Sequence, residues 1–293
     1  MKLNEEQLVE LSLIAQEATL RAGEIVKQYF QKSILVHQKE GGESLASQVF
    51  TEADIESQNK ILEVLDFTFS EFDLGLLTEE AEDDSSRFEK DYFWCVDPLD
   101  GTLPFTEGKS GFSISVALVS KEGIPVIGVV YDPIVNHLYR AISGEGVYKN
   151  DTLWNFKNDK CSSNLSFYTD RSFLSHASFP KVKEALDSLR KELTLEDLEI
   201  IGYGGAVMNA IWALENHPAC YFKFPKSNKG GGSLWDFAAT VCIYRELGAN
   251  TSDMYGKTLS LNSDQSIFMN EVGVLYATDH RISDFLLEMY KDL

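Results

Sequence analysis

An apolar run that ends in two closely spaced aspartates constrains the fold more than any other stretch of the sequence. Residues Tyr92–Val96 are mostly aromatic or β-branched, and this pattern predicts a buried strand. The run leads into residues 97–102, Asp-Pro-Leu-Asp-Gly-Thr, where the proline lacks a backbone donor and is expected to end the strand. Asp97 and Asp100 are therefore predicted to lie on a tight turn at the end of a strand.

The two aspartates of this turn favour a site for a cation. Carboxylates held close together repel one another unless a cation or a proton lies between them, and hard oxygen ligands on a rigid turn suit Mg²⁺. Gly101 lets another group approach closely, and the amides of Gly101 and Thr102 could face an anion. A solvated Asp-Pro or Asp-Gly turn is the simpler interpretation, but further carboxylate motifs in the chain favour the site.

Composition and charge narrow the class of protein. With 293 residues, 44% of them hydrophobic, the chain is long enough for a sizeable core in one large domain or two packed halves. The net charge of -20 disfavours binding to nucleic acid through a basic surface. We predict a cytoplasmic protein that does not enter membranes, because the four cysteines are scattered, no signal peptide is recognisable, and no apolar stretch approaches the roughly 20 residues of a membrane span.

The first half of the chain is predicted to form two helices and a sheet. Apolar residues recur at helical spacing after Asn4, which forms a capping-box pattern with Gln7, and again from Thr51 to about Phe69. Between these helices, residues 38–48 are predicted to form a loop. Strands are predicted at residues 113–119, 126–131, 137–142 and 146–148, and the short breaks between them indicate an antiparallel meander.

The second half of the chain alternates strands and helices, which is typical of an α/β arrangement. Strands are predicted at residues 165–169, 198–201, 220–224 and 274–277, and helices at residues 180–193, 205–215, 234–247 and 282–293. The polar stretch at residues 150–164 is the predicted boundary between the halves. It divides the chain into an α+β half, residues 1–155, which carries most of the acidic motifs, and an α/β half, residues 156–293.

Other acidic residues fall at the ends of predicted elements, where functional sites tend to be built. Asp54 lies in the first turn of a predicted helix, Glu79-Glu80 follows a short apolar run, and Asp236 opens a helix after a glycine-rich stretch. Each has a simpler explanation when taken alone, because helix dipoles favour carboxylates at helix starts and a glutamate pair is often a solvated loop. Their combination with the central turn favours one shared site.

Taken together, these motifs resemble the inositol monophosphatase family, whose superfamily includes fructose-1,6-bisphosphatases and 3'(2'),5'-bisphosphate nucleotidases. The resemblance rests on Thr-Glu-Ala-Asp ending at Asp54, Thr-Glu-Glu starting at Thr78, the Asp-Pro-Leu-Asp-Gly-Thr string, and Trp-Asp ending at Asp236, in the family's order over nearly the whole chain. It implies a layered αβαβα sandwich of the sugar-phosphatase type, with an antiparallel sheet in the first half and a mixed sheet in the second. It also implies Mg²⁺-dependent hydrolysis of a small phosphate ester.

The resemblance further implies a role for individual residues. The implied metal ligands, for two or three Mg²⁺ ions or for Mn²⁺, are Glu79, Asp97, the backbone carbonyl of Leu99, Asp100 and Asp236, with Asp54 serving the most loosely bound ion. The implied catalytic residues are Glu79 and Thr102, which would orient the attacking water, together with Asp54. The implied substrate contacts are Gly101, Thr102, Gly204, Gly205, Ala206 and Asp236.

The resemblance leaves the substrate open. An inositol or sugar monophosphate is one expectation. Adenosine 3',5'-bisphosphate is the alternative, favoured by the length of residues 103–111 but not by the segment after Gly205. Lys223, Lys226 and Lys229 could meet a second phosphate or form a solvated loop. A third hypothesis is a non-enzymatic, metal-binding paralogue, which the intact ligand positions disfavour. The resemblance also implies inhibition by Li⁺ and, because the family is often dimeric, a homodimer.

Thr78 stands where the family usually has glycine, which is expected to change the turn but leave the carboxylates in place. Two other classes of enzyme lack their motifs here. Gly108-Lys109-Ser110 mimics the end of a P-loop, but the glycine required five residues earlier is Leu103. No G-x-S-x-G stretch is present, so the chain has no serine-hydrolase nucleophile elbow.

Overall fold

A computed structural model of the chain describes residues 2–30, 36–38 and 49–293. Its helices are α1 (Glu5–Phe30), α2 (Glu52–Glu71), α3 (Thr102–Thr106), α4 (Phe179–Glu192), α5 (Ala206–Glu215), α6 (Leu234–Glu246) and α7 (His280–Lys291). Its strands are β1 (Val36–Gln38), β2 (Val49–Thr51), β3 (Gly75–Thr78), β4 (Tyr92–Asp100), β5 (Ser113–Ser120), β6 (Pro125–Asp132), β7 (His137–Ile142), β8 (Gly146–Lys149), β9 (Thr152–Trp154), β10 (Leu165–Tyr168), β11 (Leu198–Ile201), β12 (Ala219–Lys223), β13 (Asn250–Ser252) and β14 (Val274–Ala277). Gln38 belongs to β1, and the rest of the loop predicted at residues 38–48 lies outside the described residues.

Two large sheets and three layers of helices alternate through the molecule, which confirms the predicted αβαβα sandwich. Helices α1 and α2 cover one face of the first sheet. Helices α5 and α6 lie between the two sheets, where nearly all of their side chains are buried. Helices α4 and α7 cover the outer face of the second sheet. Each helix therefore buries an apolar face against a sheet, as layer packing requires.

The first sheet has seven strands in the sequential order β3-β4-β5-β6-β7-β8-β9. The pairings from β4 to β9 are all antiparallel, so the predicted meander is confirmed. The exception to the predicted antiparallel sheet is β3, which pairs parallel with β4 through Gly75↔Phe93 to Thr78↔Val96. The reason is that residues 79–91 lead the chain back to the end of the sheet where β3 began, so β4 starts beside the start of β3.

Strand β4 continues through Pro98 to Asp100, so the predicted strand end at Asp97 is wrong. Asp97 lies opposite Ser115 and Asp100 opposite Ser113, with a register shift between them. Two residues thus separate the aspartates, whereas one residue separates the serines, which is the arrangement of a β-bulge. A bulge tolerates the missing N–H of Pro98 and bends the strand locally, so both aspartates come from an irregular strand rather than from a turn beyond it.

The second sheet is mixed, as predicted, with the order β11-β10-β12-β14-β13. Strand β10 pairs parallel with β11 and with β12, and β14 pairs antiparallel with β12 and β13. The sequence analysis did not predict β13 or the short helix α3. One buried cluster joins Leu77 and Phe93 of the first half to Phe237 and Tyr276 of the second. The division at residues 155/156 into two domains therefore stays a prediction.

Two further predictions concern the environment of the chain. The four cysteines are free thiols, and Cys95, Cys220 and Cys242 are buried whereas Cys161 is exposed. None of the helices in the described part of the chain combines the length and the apolar character needed to cross a membrane.

Candidate active site

Three carboxylates meet where the two sheets approach one another. Asp97, Asp100 and Asp236 each place one carboxylate oxygen within 4.8 Å of the other two, and we name this group the carboxylate cluster. Asp97 and Asp100 come from the bulge of β4 and are buried. Asp236 comes from the first turn of α6 and is partly exposed. The fold thus brings together acidic residues that are more than 130 positions apart in the chain.

The Asp100 carboxylate lies at the N-terminus of α5. Its Oδ1 accepts a hydrogen bond from the Ala206 amide and its Oδ2 accepts one from the Val207 amide, each at 3.0 Å. The first amides of a helix lack partners within the helix and carry partial positive charge, so they stabilise a carboxylate there. A Cβ atom on Gly205 would lie 2.2 Å from Asp100 Oδ2, which explains why glycine precedes the helix.

Capping boxes fix two of the predicted site residues. Asp54 is the third residue of α2, and its Oδ2 accepts hydrogen bonds from the Thr51 amide and the Thr51 hydroxyl, both at 2.7 Å. Asp236 is the third residue of α6, and its Oδ2 accepts one from the Ser233 amide at 2.7 Å. In both helices the carboxylate oxygen that caps the helix is held rigidly. The other oxygen is left to face neighbouring groups.

Thr102 connects Asp54 to the bulge. Its hydroxyl lies 3.2 Å from Asp54 Oδ1 and 3.3 Å from the carbonyl oxygen of Leu99. Gly101, between the bulge and α3, has a φ of +84°, and a Cβ atom there would lie 2.6 Å from the carbonyl oxygen of Gly111. Gly111 also accepts a hydrogen bond from the Gly205 amide at 2.8 Å, so the two predicted substrate-contact segments lie side by side.

Glu79 directly follows β3 and lies near both Asp54 and Asp97. Its amide donates to the Val96 carbonyl at 3.3 Å, and its charge raises the pKa values of both Asp54 and Asp97. The preceding Thr78, which departs from the family's glycine, is accommodated by a buried hydrogen bond of 2.6 Å from its hydroxyl to Gln58 Oε1. Gln58 Oε1 also accepts a hydrogen bond from the Glu80 amide at 3.1 Å. The turn after β3 therefore stays bound to Gln58 with threonine at position 78.

The cluster carries more negative charge than the protein neutralises. Burial, followed by the charges of neighbouring carboxylates, raises the pKa values of Asp97 and Asp100 well above the usual range. The raised pKa values mean that the folded chain disfavours full negative charge on both Asp97 and Asp100. A cation bound between the three side chains would offset this repulsion. Convergent, buried oxygen ligands of this kind fit Mg²⁺ or Mn²⁺.

Lys223 lies beside the cluster. The sequence analysis placed it in the strand predicted at residues 220–224 and left open whether it meets a second phosphate or belongs to a solvated loop. It is the last residue of β12, and its Nζ lies 2.9 Å from Asp170 Oδ2. Asp170 was not predicted, because only the parallel pairing of β10 and β12 brings it there. Lys226 lies next to the glycine triplet, its Nζ 3.3 Å from where a Cβ atom on Gly230 would be, and Lys229 is exposed.

The buried carboxylates give a pH-dependent stability that can be measured. Burial, together with the charge of Glu79, raises the pKa of Asp54 to about 7 against the hydrogen bonds from Thr51. Between about pH 4 and pH 7 the folded chain therefore binds more protons than the unfolded chain, so its stability falls as the pH rises. We expect the metal-free protein to lose about 2–4 kcal/mol of unfolding free energy between pH 5 and pH 8.

Urea unfolding in the presence of EDTA measures this loss, and saturating Mg²⁺ is expected to restore most of it at pH 8. Exposed carboxylates with lowered pKa values do not interfere in this window. Hydrogen bonds from Arg171 and Lys109 lower the pKa of Glu107 to about 2, so its contribution changes only at more acidic pH. Equal unfolding free energies at pH 5 and pH 8 without metal would show that burial does not raise the pKa values of these carboxylates.

Comparison with known proteins identifies the family of the chain. The family model described as the inositol monophosphatase family matches residues 7–288. The chain is 30% identical to the 3'(2'),5'-bisphosphate nucleotidase CysQ of Salmonella typhimurium, over 75% of this chain and 82% of that protein. It is 28% identical to inositol monophosphatase 1 of Solanum lycopersicum, over 86% and 87% of the two chains. It is also 28% identical to Nus factor SuhB of Haemophilus influenzae, over 82% and 84%.

Solved structures share the fold across the chain. The inositol monophosphatase from Anabaena gives a TM-score of 0.67 at 22% identity, covering 98% of this chain and 97% of that one. A staphylococcal IMPase-I complexed with products gives a TM-score of 0.71 at 16% identity, covering 98% and 96%. These structures establish the fold, and the family match extends over nearly the whole sequence. The chain belongs to the inositol monophosphatase family.

Proposed function

We propose that the protein is a Mg²⁺-dependent phosphomonoesterase that hydrolyses a small phosphorylated metabolite. The observation that carries this proposal is the convergence of Asp97, Asp100 and Asp236 with their oxygens within 4.8 Å of one another. Glu79 and the carbonyl of Leu99 complete the proposed ligand set for two Mg²⁺ ions, and Asp54 would serve a third. When bound, Mg²⁺ supplies the positive charge that offsets the charge of the phosphate and acidifies water.

The protein's own residues would position the reactants. In the proposed reaction a water oxygen adds to phosphorus while the bond from phosphorus to the metabolite oxygen breaks, and that oxygen receives a proton. Thr102 and Glu79 would orient the water. If the Thr102 hydroxyl donates its one hydrogen bond to Asp54 Oδ1, at 3.2 Å, its lone pairs remain free to accept a hydrogen bond from the water. The amides of Gly101 and Thr102 would hold the phosphate.

The hydroxyl of Thr102 is the testable part of this arrangement. Thr102→Val keeps the shape of the side chain but removes the hydroxyl, so we expect kcat to fall by about 10²–10⁴ with little change in KM. Thr102→Ser keeps the hydroxyl and is expected to retain most of the activity. Steady-state phosphate release measures both variants. Equal losses in the valine and serine variants would assign Thr102 a packing role instead.

The substrate is proposed at two levels. An inositol or sugar monophosphate is the first choice, since the family match and the Solanum relative name inositol monophosphatase. Adenosine 3',5'-bisphosphate is the alternative, since the Salmonella relative is named a 3'(2'),5'-bisphosphate nucleotidase. A phosphate-release panel of inositol 1-phosphate, fructose 1,6-bisphosphate and adenosine 3',5'-bisphosphate, with and without Mg²⁺ and Li⁺, separates them. No release from any of these with Mg²⁺ would count against the proposal.

The remaining expectations belong to the same proposal. A homodimer in the cytoplasm that acts on a small molecule, without a nucleic-acid or membrane partner, is consistent with the free cysteines and the acidic charge. A non-enzymatic role is the competing proposal, prompted by relatives named Nus factor SuhB. The intact carboxylate cluster favours the enzyme, because a chain that no longer bound metal would gain stability by losing these buried charges.

A further inference from the structure

The ion pair of Lys223 and Asp170 follows from the topology of the second sheet. Strands β10 and β12 are parallel neighbours with Tyr168 opposite Tyr221. Asp170 and Lys223 each lie two residues beyond that pair, so they emerge together at the carboxyl ends of the strands. Their side chains are 34% and 13% exposed, and the Nζ–Oδ2 distance is 2.9 Å. Because the Lys223 side chain is mostly buried, solvent and salt screen this ion pair less than a fully exposed one.

The pair lies against the carboxylate cluster. The Phe237 ring borders the Asp236 carboxylate, because a Cβ atom on Gly232 would lie 2.4 Å from Phe237 Cζ and 2.9 Å from Asp236 Oδ2. Lys223 Nζ also lies 5.8 Å from the ring centroid of Phe237, the residue after Asp236. Lys223 and its partner Asp170 therefore lie on the side of the cluster that Phe237 borders, one with each sign of charge.

Tyr221 places a fully buried side chain on the same wall of the site. Its side chain points to the same face of β12 as Lys223, two residues away. The hydroxyl is fully buried and has no hydrogen-bond partner among the described residues. In such a low-dielectric wall, a fixed charge acts on the cluster more strongly than a surface charge would.

We propose that the Lys223–Asp170 pair sets the affinity of the carboxylate cluster for divalent cations. The inference rests on the proposed metal site and assigns opposite roles to the two residues. The Lys223 ammonium opposes an incoming cation and weakens its binding. The Asp170 carboxylate offsets that ammonium and strengthens cation binding. Together they hold the affinity at an intermediate value, at which ions can be exchanged.

Four variants test the proposal by calorimetric titration of the folded, metal-free protein with MgCl₂ and with MnCl₂ at constant ionic strength. Lys223→Met is expected to tighten cation binding about three- to tenfold, because one positive charge is removed. Asp170→Asn is expected to weaken it by a similar factor. The double variant removes both charges and should bind within about twofold of wild type. Lys223→Arg keeps the charge and should resemble wild type.

The pattern across the variants decides the outcome. Weaker or unchanged cation binding in a folded Lys223→Met variant overturns the proposal, as does tighter binding in Asp170→Asn. Circular dichroism and thermal unfolding establish that each variant is folded. If Lys223→Met does not fold, Asp170→Asn and the double variant still give opposite expectations. Absence of Mg²⁺ and Mn²⁺ binding in the wild type refutes the metal site itself. If the wild type binds these cations and the variants bind them with the same affinity, only the role of the ion pair is refuted.

Discussion

Replacement of Asp97 with asparagine is expected to lower Mg²⁺-dependent phosphate release by more than about 100-fold. Losing a residue that only supports a metal ligand costs up to about 100-fold, and a proposed ligand itself should cost more. Asp97 lies at the centre of the site, within reach of Asp236, Asp100 and Glu79. An amide keeps the size of the side chain but removes the charge that would bind a cation. Phosphate release and Mg²⁺ titration measure the loss of activity and of metal affinity together.

The same variant is expected to leave the metal-free fold intact or more stable. Burial holds the pKa of Asp97 well above its usual range, so the folded chain bears the cost either of a buried charge or of keeping the carboxyl protonated, and asparagine carries neither cost. Asp132→Asn is the matched control, because Asp132 is also buried and accepts hydrogen bonds from the Ile134 and Val135 amides that an asparagine oxygen can accept. Wild-type activity in Asp97→Asn would remove this residue from the site.

Gly205→Ala is expected to reduce activity by roughly 100-fold, because it displaces Asp100 rather than removing it. The new Cβ atom would lie 2.2 Å from Asp100 Oδ2 and 2.8 Å from Gly101 Cα, so either the carboxylate or the helix must move. A misplacement of about 1 Å at a reacting centre costs on the order of 10² in rate. Overpacking of this kind costs about 1–3 kcal/mol of stability, which urea unfolding measures.

Gly144→Ala separates the steric effect from the general cost of replacing glycine. Gly144 has a φ of +86°, and a Cβ atom there would meet nothing within 4 Å. Alanine at this position is expected to cost about 1–2 kcal/mol of backbone strain and to leave phosphate release unchanged. Full activity in Gly205→Ala with an undisturbed Asp100 would mean that the helix start can yield to the methyl group.

Local sequence patterns predicted most of the fold, and the reasons are visible in particular elements. The strands predicted at residues 137–142, 198–201 and 274–277 have the bounds that the structure gives β7, β11 and β14. These segments are short apolar or alternating runs between clear breaks, so propensity and burial agree. The predicted end of β4 at Asp97 was wrong, because a bulge within the sheet accommodates Pro98, and a bulge depends on the partner strand.

The site was predictable where its residues mark the ends of elements. Asp54 and Asp236 occupy the third position of their helices, where a capping box gives a local sequence signal. The ion pair of Asp170 and Lys223 had no such signal, because its members are 53 positions apart and meet only through the parallel pairing of their strands. Pairing between distant strands is decided by tertiary packing, which a single sequence does not reveal.

The hydrogen bonds from Ala206 and Val207 to Asp100 have an architectural consequence. They join a strand of the first sheet to a helix that packs against the second, so the same contacts fix the relative placement of the two layers and the geometry of the proposed reaction centre. Substitutions that shift one layer relative to the other are expected to move the Asp100 carboxylate even when they lie far from it. We therefore expect both folding and the proposed activity to limit which substitutions this core tolerates.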